Sequence, residues 1–203
     1  MGSAQASARA AVVSGASGLV GRAVVARLEA AGFQVGMLQD ADLDDRRRTV
    51  GAVQRIASEI GPISVLVTSP ELHDAARFGE LDADRWHRLL NAHLGTTTNA
   101  CAATVPGMVE RGHGRVITIS SWLAFAGVPG EAYFAAAAGS ILAFTKSFAL
   151  EVAAHGVRVN CIAAGPTEKG VTAADVADTV MFLVDDGDFF VGQVLTPAGG
   201  AVV

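Results

Sequence analysis

Between a short apolar run at 10–14 and a segment of helical spacing that begins at Leu19 lies Ser14-Gly15-Ala16-Ser17-Gly18-Leu19-Val20-Gly21. Three glycines at this spacing suit a strand-to-helix turn that receives phosphate. One allows the tight turn, one lets a pyrophosphate reach the backbone, and one lets the helix pack closely on the strand. The start of the helix adds unpaired N–H groups and a partial positive charge. Ser14, Gly15, Ser17, Gly18 and Gly21 are therefore the candidate cofactor-binding residues, with NAD or NADP as the ligand. A turn of purely structural purpose would use the same residues. Asp40, near the end of the next apolar run, stands where a carboxylate can meet an adenosine ribose, which favours NAD over NADP. An exposed turn aspartate is the alternative.

Positioning such a turn takes alternating strands and helices. Apolar runs at 10–14, 33–38, 63–67, 116–119, 157–162 and 191–195 read as six strands. Helical spacing covers 19–31, stopping at Gly32, and returns after Arg46-Arg47-Arg48 through Val50, Val53, Ile56 and Ile60. The stretch 39–45 is acidic and reads as a turn. Asp82 can cap a long helix that runs through Trp86 and Leu94 towards Met108. The segment 132–154 is apolar almost all round, so as a helix it should be buried or form an interface. Thr172, with Asp175 three residues on, resembles a capping box for a helix reaching Val184. The expected architecture is one α/β domain over 1–203, a Rossmann-type doubly wound parallel sheet of about six strands with helices on both faces, preceded by a flexible N-terminus at 1–9.

Composition narrows the function classes. The chain has 203 residues, 51% hydrophobic and 17% charged, which suits one domain with a full core. The net charge is −5 and the longest basic run is the three arginines at 46–48, so no clustered positive face for nucleic acid is expected. Cys101 and Cys161 lack metal-ligand spacing and read as buried thiols in a reducing compartment; no metal site is expected. No stretch reads as a signal peptide or a membrane span, which points to a cytoplasmic protein.

Further landmarks follow the glycine turn in order: Gly114-Arg115-Val116-Ile117-Thr118-Ile119-Ser120-Ser121, Pro129-Gly130-Glu131-Ala132, Phe144-Thr145-Lys146-Ser147, Val157-Arg158-Val159-Asn160-Cys161-Ile162, and Gly192-Gln193-Val194-Leu195 with Gly199-Gly200. Together they resemble the short-chain dehydrogenase/reductase family over nearly the whole chain. The resemblance implies an NAD(P)-dependent oxidoreductase. In the family a tyrosine exchanges a proton with the substrate oxygen while hydride moves to or from nicotinamide. A lysine four residues later lowers the tyrosine pKa, a serine orients the substrate oxygen, and an asparagine completes a proton relay.

Several of these positions are altered. Ser121 matches the serine. The tyrosine position, thirteen residues on, holds Phe134, and the lysine position is then Ala138; the landmark around Lys146 gives the same register. In the alternative register Tyr133 faces the pocket and Ala137 takes the lysine position. Lys146 does not substitute, because twelve residues of helix carry it about 18 Å along the axis. A positive charge about 4 Å from a tyrosine is worth roughly three pKa units, so Tyr133 without it would be a poor base. The relay asparagine falls at His93, which can serve as acid or base or simply be a hydrogen-bonded helix histidine. Where the family has asparagine-alanine-glycine beside the cofactor, this chain has Thr68-Ser69-Pro70-Glu71. Asp42-Leu43 resembles the pair beside the adenine, or again an exposed turn. One helix and most of an edge strand after strand two look deleted, as does the substrate lid after Ala164-Gly165-Pro166-Thr167.

Three readings result. The first, favoured, is a ketoreductase-like protein with a degenerate site, a non-catalytic or auxiliary subunit partnering another family member. It would form a homodimer or hetero-oligomer through the helices at 86–108 and 132–154, which match the family's dimer interface. The second is an NAD(P)-dependent carbonyl reductase or alcohol dehydrogenase acting on a small molecule with a rebuilt site. The third is a non-redox dehydratase, cyclase or isomerase. Ser121, Tyr133 and His93 are the candidate catalytic residues.

Overall fold

The computed structural model describes residues 9–166 and 170–200. The expected N-terminal segment lies, apart from Arg9, outside the described residues, as does Thr167. Four strands, β1 (Ala10–Ser14), β3 (Ile63–Thr68), β4 (Gly114–Ser121) and β5 (Val157–Ala164), are buried along most of their length, as interior strands covered on both faces must be. β2 (Gln34–Leu38) and the two-residue β6 (Val194–Leu195) complete a six-stranded sheet in the order β2-β1-β3-β4-β5-β6, with every pairing parallel.

Alternation along each strand divides the core into two layers. Val12, Leu66, Val116 and Val159 pack towards α3 (Arg46–Ile60), α5 (Thr96–Arg111) and α6 (Ala132–Val152). Val13, Val67, Ile117 and Ile162 pack towards α1 (Leu19–Ala30) and α7 (Ala173–Asp185). This is the expected doubly wound sheet. The strand order reverses between β1 and β3, so a crevice opens at the carboxyl ends of those strands.

Four local features differ from, or add to, the sequence expectations. The stretch expected as a turn contains a short helix, α2 (Asp40–Leu43), closed by a capping box in which the Asp42 carboxylate accepts from Gln39 N at 3.2 Å. The last strand is shorter than 191–195. Gly192 turns with φ +65°, and Gln193 N donates to the Asn160 side chain at 2.9 Å, before β6 begins. The long helix capped by Asp82 is α4 (Ala83–Leu90) joined to α5 through a π-helical turn at Asn91–Gly95. Such one-residue expansions of the helix are often found at functional sites. Finally, α6 has the length and hydropathy to cross a membrane, although no stretch was expected to. Ala137, Ala138, Ile141, Thr145 and Ala149 on it are buried, and it packs along β4 and β5 as a core helix.

The expected shortening is visible. From β2 the chain passes through α2 directly into α3, and among the described residues no strand lies beyond β2. No helix stands between β5 and α7 among them either. The Thr172–Asp175 capping box forms as expected, and its hydrogen bonds from Thr172 hold the Asp175 carboxyl below the usual carboxylate range.

Candidate functional site

The glycine turn has the geometry its spacing predicts at two of three positions. Gly15 takes φ +67°, and a Cβ there would run into the Ser69 carbonyl. A Cβ at Gly21 would strike the Gly15 carbonyl, so glycine lets α1 pack onto the turn. Ser14 is buried at the end of β1, where its carbonyl accepts from Ser69 N at 3.2 Å. The Ser17 carbonyl accepts from the Arg22 guanidinium, which folds back over the turn. At Gly18, the third position, the near neighbour is the chain itself: a Cβ would collide with the Glu71 carboxylate.

Glu71 belongs to a loop between β3 and α4 that is tied down along its length. After the Ser69–Ser14 bond, the Leu72 carbonyl accepts from His93 Nε2 at 2.7 Å. His73 Nε2 donates to Glu131 at 2.9 Å, and Asp74 receives two hydrogen bonds from Arg85, which hold its carboxyl below the usual range. Ala76 N donates to the Gly130 carbonyl at 3.0 Å. Phe78 stacks on Tyr133 with ring centroids 5.9 Å apart. The loop therefore runs from the glycine turn to the start of α6, across the carboxyl ends of the strands.

Beneath it sit the residues expected to carry chemistry. His93 is 3% exposed and lies in the π turn. Because the Leu72 carbonyl can only accept, Nε2 carries the hydrogen; Nδ1 is buried with no partner. Burial lowers the imidazole pKa, so the ring is neutral near pH 7. Phe134 stands edge-on to both flanking histidines, 5.3 Å from His93 and 4.5 Å from His73. Tyr133 turns the other way, between Phe78 and Trp86. The structure thus brings Phe134 to His93 and sets Tyr133, one of the catalytic candidates, in aromatic contact with Phe78 and Trp86. Ser121 ends β4, where its hydroxyl accepts from Leu123 N at 3.2 Å and starts a short 3-10 turn. Ala138 is fully buried, and its carbonyl accepts from Ser120. Lys146 is exposed further along α6.

Two cavities flank the turn. One of about 390 Å³ lies at the β1–β3 crevice, with Asp40, Asp44 and Glu71 facing a single arginine, Arg88. A smaller one of about 220 Å³ is lined by Ser17, Leu38 and Asp40 where a ribose was expected. Asp42 caps α2 and lies 3.6 Å from Arg55, which gives it a structural task. Both cysteines are buried free thiols, as expected, with pKa values pushed up to about 12 by burial.

The short chain dehydrogenase family model matches residues 12–179. The chain belongs to the short-chain dehydrogenase family. It is 29% identical to the 3-oxoacyl-[acyl-carrier-protein] reductase FabG of Chlamydia trachomatis, over 92% of this chain and 84% of that one. It is 28% identical to the acetoacetyl-CoA reductase of Shinella zoogloeoides, over 95% and 98%. That alignment spans 235 positions against a chain of 203, so the reductase carries segments this chain lacks. A third relative is the (2S)-[(R)-hydroxy(phenyl)methyl]succinyl-CoA dehydrogenase subunit BbsD of Thauera aromatica, 31% identical over 88% and 81%.

A short-chain dehydrogenase is expected to hold a nicotinamide dinucleotide. The residues around the adenosine end fit one: a glycine turn at the start of α1, with Asp40 beside a small cavity. The pyrophosphate position does not fit as built, because the Glu71 carboxylate lies against Gly18. In the register set by Ser121, Phe134 stands at the position of the family's tyrosine, beside His93, with the buried Ala138 one turn along. Glu71, His73, Asp74 and Phe78 were not singled out as site residues from sequence. The one available signal was the run Thr68-Ser69-Pro70-Glu71, which departs from the family pattern where the loop begins.

Proposed function

We propose that this short-chain dehydrogenase is non-catalytic and serves as an auxiliary subunit to another family member. One observation carries the reading: the tyrosine position holds Phe134, edge-on between His73 and His93, with Ala138 one turn along. A phenyl ring has no proton to give, and alanine supplies no charge to activate one. The neutral, buried His93 has its only N–H committed to Leu72.

The subunit role draws on α5 and α6. An apolar hollow of about 440 Å³ opens between them, lined by Cys101, Val105, Pro106, Val109, Phe144 and Phe148. Phe144 and Phe148 stack with centroids 5.1 Å apart. A hollow of this composition on the family's dimerisation helices suits an apolar partner surface. BbsD carries the word subunit in its name, so a relative is part of a larger assembly.

The test is twofold. The purified chain is assayed with acetoacetyl-CoA and NADH or NADPH, and it is co-expressed with an intact family member from its own genome. No turnover alone and a stable hetero-oligomer with the relative are expected. Turnover by the chain alone restores the oxidoreductase reading, which the cavity at Asp40 and the position of Ser121 favour. A strictly monomeric chain that binds no relative removes the subunit role.

A further inference from the structure

We propose that Glu71 determines ligand choice at the glycine turn: its carboxylate takes the place of the dinucleotide pyrophosphate and keeps phosphate out. The backbone of Gly18, φ −78° and ψ 174°, is open to any residue. Glycine is therefore not required there by the turn. What a side chain would meet is the Glu71 carboxylate, both oxygens of it. In the family's use of this turn, that space lets a pyrophosphate approach the backbone.

Three features fix the backbone on either side of Glu71 and so aim its side chain at the turn. Ser69 N is bonded to the Ser14 carbonyl two residues before it, and the Leu72 carbonyl is bonded to His93 one residue after it. Pro70, immediately before Glu71, restricts the backbone between these two ties. The amino end of α1, twelve residues long, favours a negative charge at this point, and Glu71 supplies it from within the chain. His93 thereby acquires a positioning role, since its bond to Leu72 fixes the residue next to Glu71.

The surroundings reinforce the exclusion. Asp40 and Asp44 line the same cavity as Glu71, against one arginine. A pyrophosphate entering it would bring negative charge onto a carboxylate in contact distance and near two others. Glu71 is exposed, so replacing it opens the cradle without removing a core side chain. Phosphate exclusion at this turn is a property of binding alone and does not depend on a partner subunit.

Two measurements test it on the full chain. In calorimetric titration with ADP-ribose, which carries the pyrophosphate but no nicotinamide, Glu71→Ala is expected to bind about tenfold or more tightly than the unaltered protein. Equal affinity, or no binding by either, overturns the proposal. In the same titration Glu71→Gln, which keeps the length of the side chain and removes its charge, is expected to bind ADP-ribose more tightly than the unaltered protein, though less tightly than Glu71→Ala. Glu71→Gln binding no more tightly than the unaltered protein also overturns the proposal.

Discussion

His93 donates its Nε2 hydrogen to the Leu72 carbonyl at 2.7 Å while burying Nδ1 without a partner. One bond thus joins the π turn between α4 and α5 to the loop over the glycine turn, and it works only while Nε2 carries a hydrogen. Burial lowers the pKa of this imidazole, with the neighbouring His73 acting in the same direction. In the unfolded chain the ring takes up a proton near its ordinary value, about 6.5. Below that pH the unfolded state binds more protons than the folded state, so stability falls as pH falls, until the lowered folded value is passed. Urea unfolding at pH 7.5 and pH 5.0 should therefore show a larger acid loss for the unaltered protein than for His93→Gln. An equal loss in both would mean that His93 is free to protonate in the fold.

Phe134 is held by ring-edge contacts with both His73 and His93, so its truncation leaves a gap between the loop and α6. Phe134→Ala should cost about 2–4 kcal/mol, in the range of partly relaxed core cavities, read as a fall in Tm. Phe134→Tyr should keep the packing and still give no reduction of acetoacetyl-CoA, because Ala138 carries no charge to lower the phenol pKa. Turnover by that single variant would show that the rest of the site is competent.

Tyr133→Phe should be nearly silent. The ring stacks on Phe78 and leans on Trp86, and among the described residues its hydroxyl has no hydrogen-bond partner. A change in stability within about 0.5 kcal/mol is expected, as for surface substitutions that leave contacts intact. A larger loss, measured by urea unfolding, would assign the hydroxyl a role that its surroundings do not suggest.

The scaffold was legible because its signals are local and periodic. β3 is nearly continuous in apolar residues, Thr172 and Asp175 form a box at their own spacing, and the glycines at 15 and 21 perform the roles their spacing assigns. Ser121 and the landmark around Lys146 give one register from both sides, which sets Phe134 and Ala138 at the positions of the family's tyrosine and lysine. The loop was not legible. Glu71, His73 and Phe78 act through partners far along the chain, at Gly18, Glu131 and Tyr133, and no periodicity announces such contacts. The short helix α2 was hidden for a related reason: its acidic residues read as a turn until the side chains of Gln39 and Asp42 are seen to cap it.

The stacked pair Phe144 and Phe148 supplies the last test. Both are partly buried, line the hollow between α5 and α6, and pack against the core layer beneath. If a partner's apolar side chains fill that hollow, a carboxylate introduced at its wall would be buried unpaired on assembly, at a cost of several kcal/mol. In the free chain the same carboxylate can turn towards solvent, and the loss is limited to part of one aromatic contact. Phe148→Glu should therefore dissociate the oligomer seen by light scattering while the separated chain still melts cooperatively. An assembly that survives the substitution would place the partner on another face.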